Sequence, residues 1–177
     1  MRVLETPWKW MNAREINACM DAYDSVQLDM EWCEQHNRAV GNAFYISSDL
    51  PRALETAILM TGTPPSEISD VFREVPLPRF NSRIILPAVI LATISRLGWY
   101  FGWMKGEESR QETTARVKRG ADILEDRVSR KGRVTLFAHG FYLWLLMREL
   151  RERGWDSRKK GPFSYMEAAP MFKLTSN

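Results

Sequence analysis

The chain has 177 residues and a mass of 20.6 kDa, the size of one domain rather than two. A hydrophobic fraction of 45% and a charged fraction of 27% exclude intrinsic disorder, and a formal charge of +3 is too small and too dispersed to single out nucleic acid as a partner. Cys19 and Cys33 have neither C-x-x-C nor metal-ligand spacing, which argues against a disulfide framework and for a reducing, cytoplasmic setting.

Residues Met1 to Pro7 contain no apolar core of the kind a signal peptide needs. Asn12 reads as a helix N-cap with Glu15 as its capping-box partner, and Ile16, Met20 and Tyr23 then recur at helical spacing, so a helix is expected over 13–24. Residues 25–42 are polar and weakly periodic, a second helix or a loop. Ala43-Phe44-Tyr45-Ile46 is a short apolar run stopped by Ser47-Ser48-Asp49, which suits a buried strand feeding a helix; Pro51 fits that helix's first turn, and Thr61 to Pro65 ends it. Val71 to Val75 reads as a short strand bounded by Pro76 and Pro78.

The stretch from Ile84 to Met104 is largely apolar but contains Pro87, Arg96, Gly98 and Gly102. A membrane-spanning helix needs roughly 20 apolar residues, and a central arginine costs at least about 2.5 kcal/mol. The stretch therefore reads as a buried or half-buried helix, broken near Gly98 or Gly102, and no membrane partner is expected. A long helix follows from about Glu108 to Ser129. Arg133 to Ala138 is a β-branched, apolar strand ending at His139-Gly140; Phe141 to Arg153 is apolar at helical spacing; Met171 to Thr175 reads as a closing edge strand. Strands alternating with helices predict a layered α/β domain with a mostly parallel sheet.

In open α/β sheets ligands bind beyond the carboxyl ends of the strands. Two strands here end in reactive groups. The first delivers Arg52 into the first turn of a helix, where a planar guanidinium beside unpaired helical N–H groups suits an anion. The second ends at His139, able to donate to an oxyanion or exchange a proton near neutral pH. Taken singly, such an arginine also fits a surface ion pair, and such a histidine a structural role.

Together and in this order they resemble a known family. Ser47-Ser48-Asp49-Leu50-Pro51-Arg52-Ala53-Leu54-Glu55-Thr56-Ala57 is similar to the S-x-L-x-R-A-x-E-T-A segment of the histidine phosphatase (phosphoglycerate-mutase-like) superfamily. Phe72-Arg73-Glu74-Val75-Pro76-Leu77-Pro78 resembles its acidic segment, and Val134 to Gly140 its second histidine motif. The resemblance spans roughly 12–175 and implies a single α/β/α domain over 1–177, lacking its first strand, with a helical insertion at about 79–130 that would set the substrate.

The resemblance implies phosphomonoester hydrolase or phosphomutase chemistry, which is mostly positioning and neutralisation of spread negative charge. In such enzymes a histidine in an R-H-G motif takes the phosphoryl group, arginines and a second histidine hold its oxygens, and a carboxylic acid protonates the leaving oxygen. Carried over, Arg52 and His139 bind the phosphoryl group, His139 stabilises its transfer, and Glu74 is the acid/base. No metal or other cofactor is implied, and the expected partner is a phosphorylated small molecule or a phosphoprotein.

One departure changes the expectation. The chain contains two histidines, His36 and His139, and neither stands in an R-H-G motif. Arg2-Val3-Leu4-Glu5-Thr6 has the outline of R-H-G-E-T with valine in the histidine's place, and valine cannot accept a phosphoryl group. The chain is thus expected to be a truncated or weakly active form, or a non-catalytic phospho-ligand or protein-interaction module using the 84–104 helix. His36, in Glu34-Gln35-His36-Asn37-Arg38, reads as a surface residue. Tyr45 and Trp144 read as core filling, Glu107 and Glu108 as a substitute acid or a solvated helix start, and Arg158-Lys159-Lys160 as a solvated turn.

Overall fold

A computed structural model describes residues 8–23, 44–79, 85–161, 163 and 167–173. It begins with a two-residue strand, β1 (Trp10–Met11), and a helix, α1 (Ala13–Tyr23). Asn12 opens α1 as expected: its Oδ1 accepts the Glu15 N–H at 3.0 Å while Glu15 Oε2 accepts the Asn12 N–H at 2.8 Å. The expectations for 25–42, including His36 and Cys33, lie outside the described residues.

The next strand, β2 (Phe44–Ser48), turns directly into α2 (Pro51–Thr61), with Pro51 in the first turn. Gly62 closes α2 at φ +70°, a left-handed conformation that glycine adopts without steric penalty. Strand β3 (Glu67–Ser69) then leads into one turn of 3-10 helix over Asp70–Phe72.

This corrects the sequence reading of a strand over Val71–Val75. The ladder with β2 runs out at Ser48 opposite Ser69, where β2 itself ends. Ser69 Oγ then accepts the Val71 N–H at 3.3 Å, curling the chain and driving Phe72 into the core.

Strand β4 (Leu86–Pro87) pairs antiparallel with β1 and leads into α3 (Ala88–Tyr100). This helix is shorter than the apolar run, because Pro87 precedes it and Gly102, at φ +77°, follows it. Ala88, Leu91, Ser95, Gly98 and Trp99 are buried, whereas Ile90, Ile94, Leu97, Phe101 and Trp103 are exposed. The helix is therefore half-buried. Among the described residues no helix is long and apolar enough to cross a membrane.

Ser109 caps α4 (Arg110–Lys131) in a full capping box with Glu112, and Gly132 ends it. Then come β5 (Val134–Phe137), α5 (Gly140–Glu152), β6 (Trp155–Asp156) and β7 (Phe172–Lys173). Strand β7 is not an edge of the main sheet: it pairs antiparallel with β6 in a separate ribbon.

The main sheet has three parallel strands in the order β3-β2-β5. With five helices among the described residues, the architecture is the α/β class read from the sequence. Ile46, Phe72, Val75, Trp99, Val117, Ala121, Tyr142, Leu146 and Leu150 form the main core. Met11, Ile16, Ala88 and Leu91 form a second, smaller cluster.

Candidate functional site

Because β2 and β5 are adjacent and parallel, both chains leave the sheet at the same end. Their register pairs Ser47 with Phe137, so Ser48 comes level with the residues leading into His139. Arg52 stands in the first turn of α2 and is buried, at 9% exposure. His139 is the N-cap residue of α5, extended at φ −110° and ψ 150°, and 8% exposed. Both line one end of a cavity of about 920 Å3 that runs the whole length of β5 and is otherwise walled by Glu74, Gly140, Phe163 and apolar side chains such as Leu146 and Met171.

The imidazole is anchored from beneath: Nε2 lies 3.1 Å from the Oγ of Ser48, which is wholly buried. Burial, and then the positive charge of Arg52, hold its proton affinity down to about 4, against an opposing pull from Asp49. His139 is therefore neutral at physiological pH. Asp49 is itself engaged by Arg73, whose Nε donates to Oδ1 at 2.7 Å and whose Nη2 donates to Oδ2. That hydrogen bonding holds the Asp49 carboxyl below the usual carboxylate range.

Glu74 comes to the same wall in a way the sequence did not suggest. Its Oε1 accepts the N–H of Tyr142 at 3.0 Å and of Val75 at 2.9 Å, and its Oε2 accepts the Phe141 N–H at 3.3 Å. These α5 donors have no partner within the helix, and a carboxylate there also meets the positive end of the helix dipole. The carboxylate thus ties the segment after β3 to the helix that His139 begins. Behind it stands Arg96, donating from Nη1 to the Val75 carbonyl at 3.0 Å with its guanidinium 4.0 Å over the Phe141 ring. Burial lowers the Arg96 proton affinity, and the charge of Glu74 acts against that. The available signal for Arg96 was its position inside an apolar helix, which demands a buried counter-charge.

The remaining expectations separate. Glu108 is neither solvated nor free: its carboxylate takes Arg116 Nε at 2.8 Å and Nη2 at 2.6 Å, and Arg116 Nη1 donates to the carbonyls of Val71 and Arg73 at 3.0 and 2.8 Å. Glu107 is exposed, 3.5 Å from Arg79. Tyr45 packs against Phe137 and Trp144 stacks on Phe141. Lys159 is half-buried and pairs with Glu167 at 2.8 Å, so the 158–160 run is only partly a solvated turn. No three metal-ligating side chains cluster among the described residues.

The sequence model of the histidine phosphatase superfamily, branch 1, matches residues 28–167, and Arg52, Glu74 and His139 all fall inside the match. The chain belongs to the histidine phosphatase superfamily. Its three-stranded parallel sheet and helices are consistent with the superfamily's phosphoglycerate-mutase-like fold. Among solved structures, the chain is similar to that of the open reading frame Rv3214 from Mycobacterium tuberculosis, at 18% identity and a TM-score of 0.46. The likeness covers 60% of this chain, which spans about half, 53%, of that one. No curated protein matches the chain.

Proposed function

We propose that this member of the superfamily binds a phosphate monoester at the strand ends and, in the chain as given, does not turn it over through a phosphohistidine. Arg52 clamps two phosphoryl oxygens with its planar fork, and the neutral His139 donates to a third. The observation that carries the reading is the convergence of two buried residues, one cationic and one donor-bearing, on a single cavity. Glu74 is on the same wall, and the acid/base role that turnover would need falls to it only by the superfamily resemblance. The concave setting of Arg52 and His139 favours a small phosphorylated molecule over a flat protein surface. Neither histidine of the sequence stands in an R-H-G motif, which supports binding without turnover. The cysteine spacing favours the cytoplasm as its setting.

Titration calorimetry with inorganic phosphate and with p-nitrophenyl phosphate tests this. Binding is expected, weakened about tenfold or more in Arg52→Lys, because an ammonium cannot replace a two-pronged contact worth about 1.5–3 kcal/mol. Robust hydrolysis of p-nitrophenyl phosphate, lost in His139→Ala and retained in His36→Ala, would overturn the non-catalytic part. Absence of binding at millimolar phosphate would overturn the rest. A second reading, a protein-interaction module, is favoured by the exposed stripe of Ile90, Ile94, Leu97, Phe101 and Trp103.

A further inference from the structure

His139 can act as a donor toward an anion only if the proton of its neutral ring sits on the nitrogen that faces the anion. A neutral imidazole carries one proton on one of two nitrogens that point away from each other, and a hydrogen bond at one decides the state of the other. Nε2 is directed at Ser48 Oγ, 3.1 Å away and fully enclosed. Nδ1 has no hydrogen-bond partner among the described residues, while the ring lines the cavity shared with Arg52.

The hydroxyl of Ser48 settles the direction of the bond. Its oxygen already accepts the Leu50 N–H at 3.3 Å. Its proton must therefore go to an acceptor, and the acceptor in reach is Nε2. The neighbouring Ser47 hydroxyl is no alternative acceptor: the two residues are successive in β2, so their side chains point to opposite faces of the sheet, and the Ser47 hydroxyl is turned to the Ser48 carbonyl at 2.8 Å. Were Nε2 protonated, Ser48 Oγ would accept twice and its own proton would be buried with nowhere to go, which is unfavourable.

We propose that Ser48 is a positioning residue: by donating to Nε2 it fixes His139 as the Nδ1–H tautomer and presents a donor, not a lone pair, to the anion cavity. This rests on the phosphate-binding reading for its purpose but not for its test. Mutating Ser48 alters neither the cavity wall nor the cation at Arg52.

The experiment is 15N NMR of histidine-labelled protein, in which a protonated and a bare imidazole nitrogen differ widely in chemical shift. His139→Gln assigns the signal. At neutral pH the unaltered chain is expected to show Nδ1 protonated and Nε2 bare. In Ser48→Ala the two nitrogens are expected to move toward intermediate shifts as both tautomers populate, with phosphate affinity falling by about threefold to tenfold. Ser48→Thr, which keeps the hydroxyl, is expected to restore the single tautomer.

A bare Nδ1 in the unaltered chain overturns the proposal without reference to any variant. So does an unchanged single tautomer in Ser48→Ala. If the tautomer behaves as expected while phosphate fails to bind the unaltered chain, the proposed function falls and the Ser48 assignment stands.

Discussion

Gly120 lies within α4, where the missing side chain makes room for Tyr142 of α5. A methyl group there would stand 2.4 Å from Tyr142 Oη, 3.3 Å from Phe72 Cε1 and 3.5 Å from Val71 Cγ1. In an unobstructed helix, Gly→Ala gains about 1 kcal/mol. Here both rings are wholly buried, set edge to face at 6.2 Å, and the Arg116 guanidinium lies 4.8 Å over the Tyr142 ring. The phenol has little freedom to swing aside. Overpacking of this kind costs about 1–3 kcal/mol, so Gly120→Ala is expected to lose about 1 kcal/mol net.

The same contact supplies its own control. The Tyr142 hydroxyl is buried with no hydrogen-bond partner among the described residues. Tyr142→Phe removes an unpaired polar group and is expected to gain about 1 kcal/mol. In that background the added methyl no longer meets an oxygen, and Gly120→Ala recovers its helical gain. The cycle should show a coupling of about 2 kcal/mol. Urea unfolding followed by far-ultraviolet circular dichroism reads it, each kcal/mol moving the midpoint by about 0.5 M if the slope is about 2 kcal/mol/M. A Gly120→Ala midpoint above the parent's, or additive single and double variants, would refute the packing argument.

Two further outcomes follow from the site itself. His139 has a proton affinity of about 4 in the folded chain, against about 6.5 when unfolded, so the unfolded chain binds the extra proton between those values. Its contribution to stability is complete above about pH 6.5 and is lost as the pH falls toward 4, with a slope of up to about 1.4 kcal/mol per pH unit; the Asp49 and Glu125 carboxyls, both lowered, act only below about pH 4.5. Unfolding measured across that window should show a flatter pH dependence in His139→Asn, and an identical slope would count against a buried neutral imidazole. Glu74→Ala strips the acceptor from the Phe141 and Tyr142 N–H groups and is expected to cost about 1–2 kcal/mol. Hydrogen exchange at those two amides should accelerate relative to mid-α4 amides; equal protection would contradict the capping role.

What the sequence disclosed and what it hid divide along the range of the interactions involved. Strands β2 and β5 were legible because Phe44-Tyr45-Ile46 and Val134-Thr135-Leu136-Phe137 are apolar runs halted by polar residues. The caps at Asn12 and Ser109 are equally local, three residues from their partners. Strand β3 was misplaced because Glu67-Ile68-Ser69 has no strand character of its own and is extended only by pairing with β2. Arg52 and His139 could be proposed from their strand-end positions. That Glu74 would cap α5, 68 residues later in the chain, could not, because nothing in Phe72-Arg73-Glu74 names its partner. The burial of the Arg116–Glu108 pair was hidden for the same reason: the carbonyls of Val71 and Arg73 that complete it lie 45 and 43 residues away.

Ser48 and His139 meet across 91 residues of chain, and Arg52 and Glu74 come to the same place from still other segments. No fragment of the polypeptide carries the constellation, so an occupant of the cavity can bind the native chain and has nothing comparable to hold in the unfolded one. Mass action then makes occupancy visible as thermal protection, about 2.7 kcal/mol at a hundred times the dissociation constant. A library of phosphorylated metabolites could accordingly be ranked by melting temperature alone, without an assay for turnover.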